Sequence, residues 1–175
     1  MTKKFELLTD DTIEVFGKKL FRIKALISFG IVTEGDLGGY LEKEDNLSQY
    51  GNAWVYGDAR VSGNAWVSGN AEVSGNTRVS GNARVSGNAK VYGDAWVSGD
   101  AEVETSNDYI VFKNNWSSFR YFTYTKSNKM WRVGCFYGTG QELVEKAYKD
   151  SEVSGKHYEA YVNLVLELEK IESRG

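Results

Sequence analysis

The chain has 175 residues, 41% hydrophobic and 26% charged, with 21 basic and 24 acidic side chains and a net charge of −3. That balance gives no strong nucleic-acid signal, since general nucleic-acid binders carry a positive excess or stripe. No run approaches the roughly 18 apolar residues of a membrane-spanning helix.

The first residues, Met1-Thr2-Lys3-Lys4, lead into alternating charged and apolar positions rather than an uninterrupted apolar core, so no signal peptide is expected and the protein is expected to stay in the cytoplasm. Two apolar stretches, 5–15 and 20–32, flank Gly17-Lys18-Lys19 and predict a small sheet or hairpin that caps whatever follows. Residues 35–48 are irregular and acidic, and predict a degenerate first coil with Val32, Leu37, Leu41 and Leu47 inside. Carboxylates around Lys43 form a solvated turn, and no metal is expected there.

From Ala53 to Val103 the chain repeats A-x-V-x-G-[N/D] every six residues, with Thr77 standing once for the alanine. Alternation within A-x-V puts the first and third side chains on one face of a short strand. The following Gly-Asn or Gly-Asp suits a tight corner. Three corners close an 18-residue coil, and successive coils stack through parallel ladders about 4.8 Å apart. The period therefore predicts a β-helix filled by valine and alanine.

Coil alignment sorts the outward side chains into three columns: Trp54, Glu72, Lys90; Arg60, Arg78, Trp96; and Trp66, Arg84, Glu102. The position after valine adds Tyr56 and Tyr92. Large rings pointing away from a thin core call for cover by the terminal segments or a second subunit, or else line a ligand cleft between subunits in which an arginine meets phosphate beside a stacking ring. Trp54, Tyr56, Arg60, Trp66, Arg78, Arg84, Tyr92 and Trp96 are the candidate binding residues. The corner residues Asn64, Asn82 and Asp100, with the equivalent Asn and Asp columns, predict ladders of side-chain hydrogen bonds.

The hexad fails after Val103. Residues 109–112, 119–124 and 130–137 read as three aromatic strands, followed by helices over 140–150 and about 155–173. Tyr109, Tyr121, Tyr124, Trp131 and Tyr137 are candidates for a second interface. Gly138-Thr139-Gly140 lacks the spacing of a phosphate loop and reads as a helix cap. Cys135 reads as a buried free thiol, and His157 as an ordinary hydrogen-bonded residue. The organisation expected is a cap with degenerate coil (1–49), repeat coils (50–104) and an α+β module (105–175).

The V-S-G-N-A-W pattern of 61–66 and its neighbours resembles the hexapeptide left-handed β-helix family. With residues 17–26, 35–48 and 127–140, the chain resembles small hexapeptide-repeat proteins of phages and prophages. The resemblance implies a mainly β chain, a left-handed parallel β-helix with an N-terminal β cap and a small C-terminal α+β module, working in the cytoplasm of a bacterial host cell. In the wider family, acyltransferases act as trimers with a histidine as base, and carbonic anhydrases use three histidines on zinc. Residues 1–156 contain no histidine, the coils carry no inserted loop, and no catalytic residue or cofactor is assigned.

The function expected is a noncatalytic, homo-oligomeric binding or scaffold protein, a trimer by the geometry of flat faces, engaging a host defence protein. The alternatives are a sponge for a cyclic or oligonucleotide signal held between subunits, and a hexapeptide-type acyltransferase.

Overall fold

The computed structural model describes residues 2–173. A hairpin of β1 (Phe5–Val15) and β2 (Lys18–Ala25) leads to β3 (Leu37–Leu41). Nine two-residue strands follow, β4 (Trp54–Val55), β5 (Arg60–Val61), β6 (Trp66–Val67), β7 (Glu72–Val73), β8 (Arg78–Val79), β9 (Arg84–Val85), β10 (Lys90–Val91), β11 (Trp96–Val97) and β12 (Glu102–Val103). Every third strand stacks in parallel, making the three faces of a β-solenoid: β4-β7-β10, β6-β9-β12, and a longer sheet β1-β2-β3-β5-β8-β11. The pairs Trp54↔Glu72, Arg60↔Arg78 and Trp66↔Arg84 put the outward columns in the register that the 18-residue period predicts.

The interior is the valine and alanine of the repeat, all buried. Thr77 places a hydroxyl in this apolar stack, where Oγ1 finds no partner. Corner side chains form the expected ladders, with Asn64 donating to Asn82 at 3.4 Å and Asn82 to Asp100 at 3.3 Å.

Upstream, Leu41 sits over Val61 and Leu47 over Val67 in an irregular first coil that also buries Val32. Leu37 does not join them and is 56% exposed. A register shift between β2 and β3 puts an extra residue into β3, and such a bulge turns the side chain beyond it to the opposite face.

A parallel solenoid has a polarity that dictates the chemistry of its ends. Along the coils each N–H donates toward the following coil, as in Trp66 N to Ala83 O and Arg84 N to Ala101 O. The first coil is left with spare carbonyls and the last with spare N–H groups, each costly if buried unpaired. Donors cover the first end: Lys4 Nζ reaches Ala53 O at 2.8 Å, and the Asn46 amide reaches Gly63 O and Ala65 O. Acceptors cover the other: Lys90 N donates to Ser106 Oγ, Tyr92 N to the Tyr109 hydroxyl, Trp96 N to Thr123 Oγ1 and Glu102 N to Ser127 Oγ.

Burial lowers the Lys4 ammonium from 10.5 to about 8. The folded chain then sheds this proton before the unfolded chain does, so between pH 8 and 10.5 the unfolded state binds more protons and stability rises with pH. Burial raises the phenols of Tyr56, Tyr109 and Tyr158, which opposes the trend above their ordinary value of 10.0. Thermal melts across this range are expected to show a rise that Lys4→Met flattens. A rise unchanged in that variant would locate its source elsewhere.

The C-terminal residues form a four-stranded antiparallel sheet, β13 (Tyr109–Lys113), β14 (Tyr121–Thr125), β15 (Met130–Val133) and β16 (Phe136–Gly138), covered by α1 (Gly140–Asp150) and α2 (Glu152–Ser173). The third expected strand, 130–137, is broken by a turn at Gly134, whose φ of 56° lies in the left-handed region. Phe122, Tyr124, Trp131, Leu143, Tyr158 and Val165 make a core separate from that of the solenoid. Thr139 caps α1 as expected, accepting from Glu142 N.

Candidate ligand-binding groove

The Arg60-Arg78-Trp96 column forms the floor of a groove of about 710 Å³. Its walls come from opposite ends of the chain: Phe16, at the tip of the β1–β2 hairpin, and Phe119, Arg120, Tyr121, Arg132 and Cys135 from the C-terminal module. Asp58, Asn76 and Asp94 run along one side as a corner ladder, with Asn76 donating to Asp94.

Trp96 organises the groove. Its indole N–H donates to Ser80 Oγ at 2.9 Å, fixing the ring along the solenoid face. Arg132 lies over that ring at 3.7 Å and Arg78 at 5.1 Å, while Phe16 stands nearly parallel to it at 14°, its centroid 6.3 Å away. Cation–π attraction orients both guanidiniums. Two positive charges so close to one centroid are within about 9 Å of each other, and at an effective dielectric of about 20 they repel by about 2 kcal/mol. Burial lowers the affinity of both guanidiniums for their protons, and the charge of Arg60 adds to this at Arg78.

Among the described residues, the guanidiniums of Arg60, Arg78, Arg120 and Arg132 have no carboxylate or hydrogen-bond partner; the ion-paired arginine is Arg22, held by Asp11. Arg132 Nε is buried and unsatisfied. An arginine cluster without ion-pair partners is stable only at a cost, and an anion in the groove would add attraction that offsets the repulsion and desolvation.

The other candidates fall elsewhere. Trp54 does not face solvent; it is 1% exposed, covered by Phe5 and Phe29 of the N-terminal segment. Tyr56 is half-buried against the core. Trp66, 42% exposed, and Arg84 share an open face, and Tyr92 projects beside the cap. Tyr124 and Trp131 belong to the module's core, where the Tyr124 hydroxyl donates to Glu169. Tyr109 and Tyr137 serve the junction, their hydroxyls donating to Lys90 O and Ser98 O. Of the five proposed for a C-terminal interface, Tyr121 alone lines the groove.

Phe16, Phe119, Arg120, Arg132 and Cys135 complete the site, although the repeat pattern does not reach them. Cys135 is exposed rather than buried, because it sits in the β15–β16 turn. His157 stacks on Trp116 at 4.3 Å, and its Nδ1 lies 2.8 Å from Val153 O, outside the groove. Among the described residues no group of three or more His, Cys, Asp or Glu side chains is placed to hold a metal ion, and no helix is long and apolar enough to cross a membrane.

The family described as YdcK Beta solenoid repeat matches residues 53–69, 77–91 and 83–104, all within the stacked coils. No curated protein matches the chain.

Proposed function

We propose that the chain is a noncatalytic binding protein whose groove takes a multiply charged anion. The observation that carries this reading is the convergence of four arginines without ion-pair partners on one groove, Arg60 and Arg78 from the solenoid face and Arg120 and Arg132 from the C-terminal module. The two carboxylates beside them, Asp58 and Asp94, leave a positive balance. In this reading the coils wind left-handed and serve as a rigid floor between two jaws.

The test is tripolyphosphate binding by calorimetry at two salt concentrations. Wild-type protein is expected to bind, more weakly at high salt, and the double variant Arg78→Met with Arg132→Met to lose at least about tenfold in affinity, since each charged hydrogen bond contributes about 1.5–3 kcal/mol. Equal affinity in both proteins would refute the assignment. A homo-oligomer, with a trimer the first choice, remains part of the proposal because Trp66 presents an uncovered indole on a flat parallel face. Light-scattering mass in solution checks it, and a monomer at all concentrations would remove it.

A further inference from the structure

The arginines explain a preference for anions but leave two phenylalanines unexplained. Phe16 is 77% exposed and Phe119 64%, and both have left-handed backbones, with φ of 50° and 60°. A residue with a Cβ is disfavoured in that region, and an exposed phenyl ring gains no burial in return. At Phe16 the two-residue hairpin turn shared with Gly17 itself takes positive φ, so the feature that bears on function is the exposed phenyl ring placed there, where Asn or Gly is the usual choice.

Phe16 also closes a second chamber. A slot of about 160 Å³, with Val15, Leu20 and Ser80 on its walls, shares Phe16, Arg60, Arg78 and Trp96 with the larger groove. The near-parallel Phe16 and Trp96 rings have centroids 6.3 Å apart. A flat ring held between two aromatic planes needs roughly 7 Å, twice the contact distance of carbon atoms. To supply that space Phe16 must turn away from Trp96 and from Arg78, whose guanidinium lies 5.7 Å from its ring.

The chemistry of the sides narrows the class of ligand. Asp58 and Asp94 would repel a bare polyphosphate but accept hydrogen bonds from vicinal sugar hydroxyls. A flat ring, a hydroxylated linker and several negative charges match the aromatic pair, the carboxylates and the arginines that line the connected slot and groove. We infer that the groove binds a nucleoside di- or triphosphate, its base between Phe16 and Trp96 and its phosphates among Arg78, Arg120 and Arg132. This rests on the anion-binding reading and adds the ring and the sugar.

The experiment compares adenosine and guanosine triphosphates with tripolyphosphate by calorimetry, on wild type and on Phe16→Ala. A thermal melt of Phe16→Ala matching that of wild type checks that the exposed ring is not needed for the fold. Slowed alkylation of Cys135, the chain's one thiol, independently reports occupancy of the groove. A nucleotide is expected to bind wild type about tenfold or more tightly than tripolyphosphate, given what a stacked base contributes, and to protect Cys135. Phe16→Ala is expected to abolish the nucleotide's advantage, the ratio of nucleotide to tripolyphosphate affinity falling to about one. Equal binding of nucleotides and tripolyphosphate to wild type overturns the base slot and leaves the anion site standing. Binding of neither overturns both.

Discussion

Trp54→Ala is expected to destabilise the protein by about 3–5 kcal/mol, the range for removing a buried indole from a packed core. The ring is 1% exposed, with Phe5 at 6.3 Å and Phe29 at 5.3 Å meeting it edge-on. Its loss leaves a void between the solenoid face and the N-terminal segment that the short strands around it cannot collapse to fill. The neighbouring Lys4 loses support as well, since its ammonium lies over Phe29 at 4.8 Å while it caps the coil carbonyls. Trp66→Ala is the control, at the same repeat position one face away and 42% exposed. Its effect is expected to stay under about 1 kcal/mol, as at most surface positions. Urea denaturation of the two variants decides the matter, and equal midpoints would show that the N-terminal segment contributes little to stability.

Gly81→Val is expected to cost about 2–5 kcal/mol. Gly81 turns a corner with φ of 65°, where a β-branched residue is disfavoured by about 1–2 kcal/mol. A Cβ there would also lie 2.9 Å from Gly99 N in the next coil, a backbone atom that cannot swing aside, and overpacking adds about 1–3 kcal/mol. The comparison is Gly93→Val, whose φ of 76° carries the same conformational cost but whose Cβ would meet nothing within 4 Å. The difference between the two variants, read by urea denaturation, measures how tightly the coils are stacked. Identical losses would mean that the corners are limited by backbone angle alone.

The repeat was legible because its period is both strict and local. Val55, Val73 and Val91 line up by counting, and the structure pairs them in that order. The same counting placed Arg60, Arg78 and Trp96 in one column, which became the groove floor. It also treated Trp54 and Trp66 as equivalent, since the hexad has no term for what covers a face. Phe5 and Phe29 distinguish them, and their arrival over Trp54 depends on how the hairpin returns, a tertiary fact. Phe119 and Arg120 read as the start of a strand, yet the strand begins at Tyr121 and the turn before it aims both at the groove. Their neighbours in sequence are Ser117 and Ser118, and no periodicity marks a left-handed phenylalanine. Arg132 was hidden differently: it lies in a strand as expected, but its partner Trp96 is 36 positions away across a module boundary, beyond any local pattern.

Each of the two end caps reads the hydrogen-bond polarity of the coils at its own end. An extra 18-residue unit, spliced in anywhere from Ala65 to Asn82, would offer the same carbonyls to Lys4 and Asn46 and the same N–H groups to Thr123 and Ser127. It would also carry the hairpin tip and the C-terminal module apart by one rung, about 4.8 Å. The solenoid thus acts as the shank of a caliper. Its number of coils sets the gap between Phe16 and Arg132 in fixed increments, and one increment is enough to take Phe16 off Trp96. Selection acting on the bore of such a groove has a quantised setting to work with, independent of any residue that lines it.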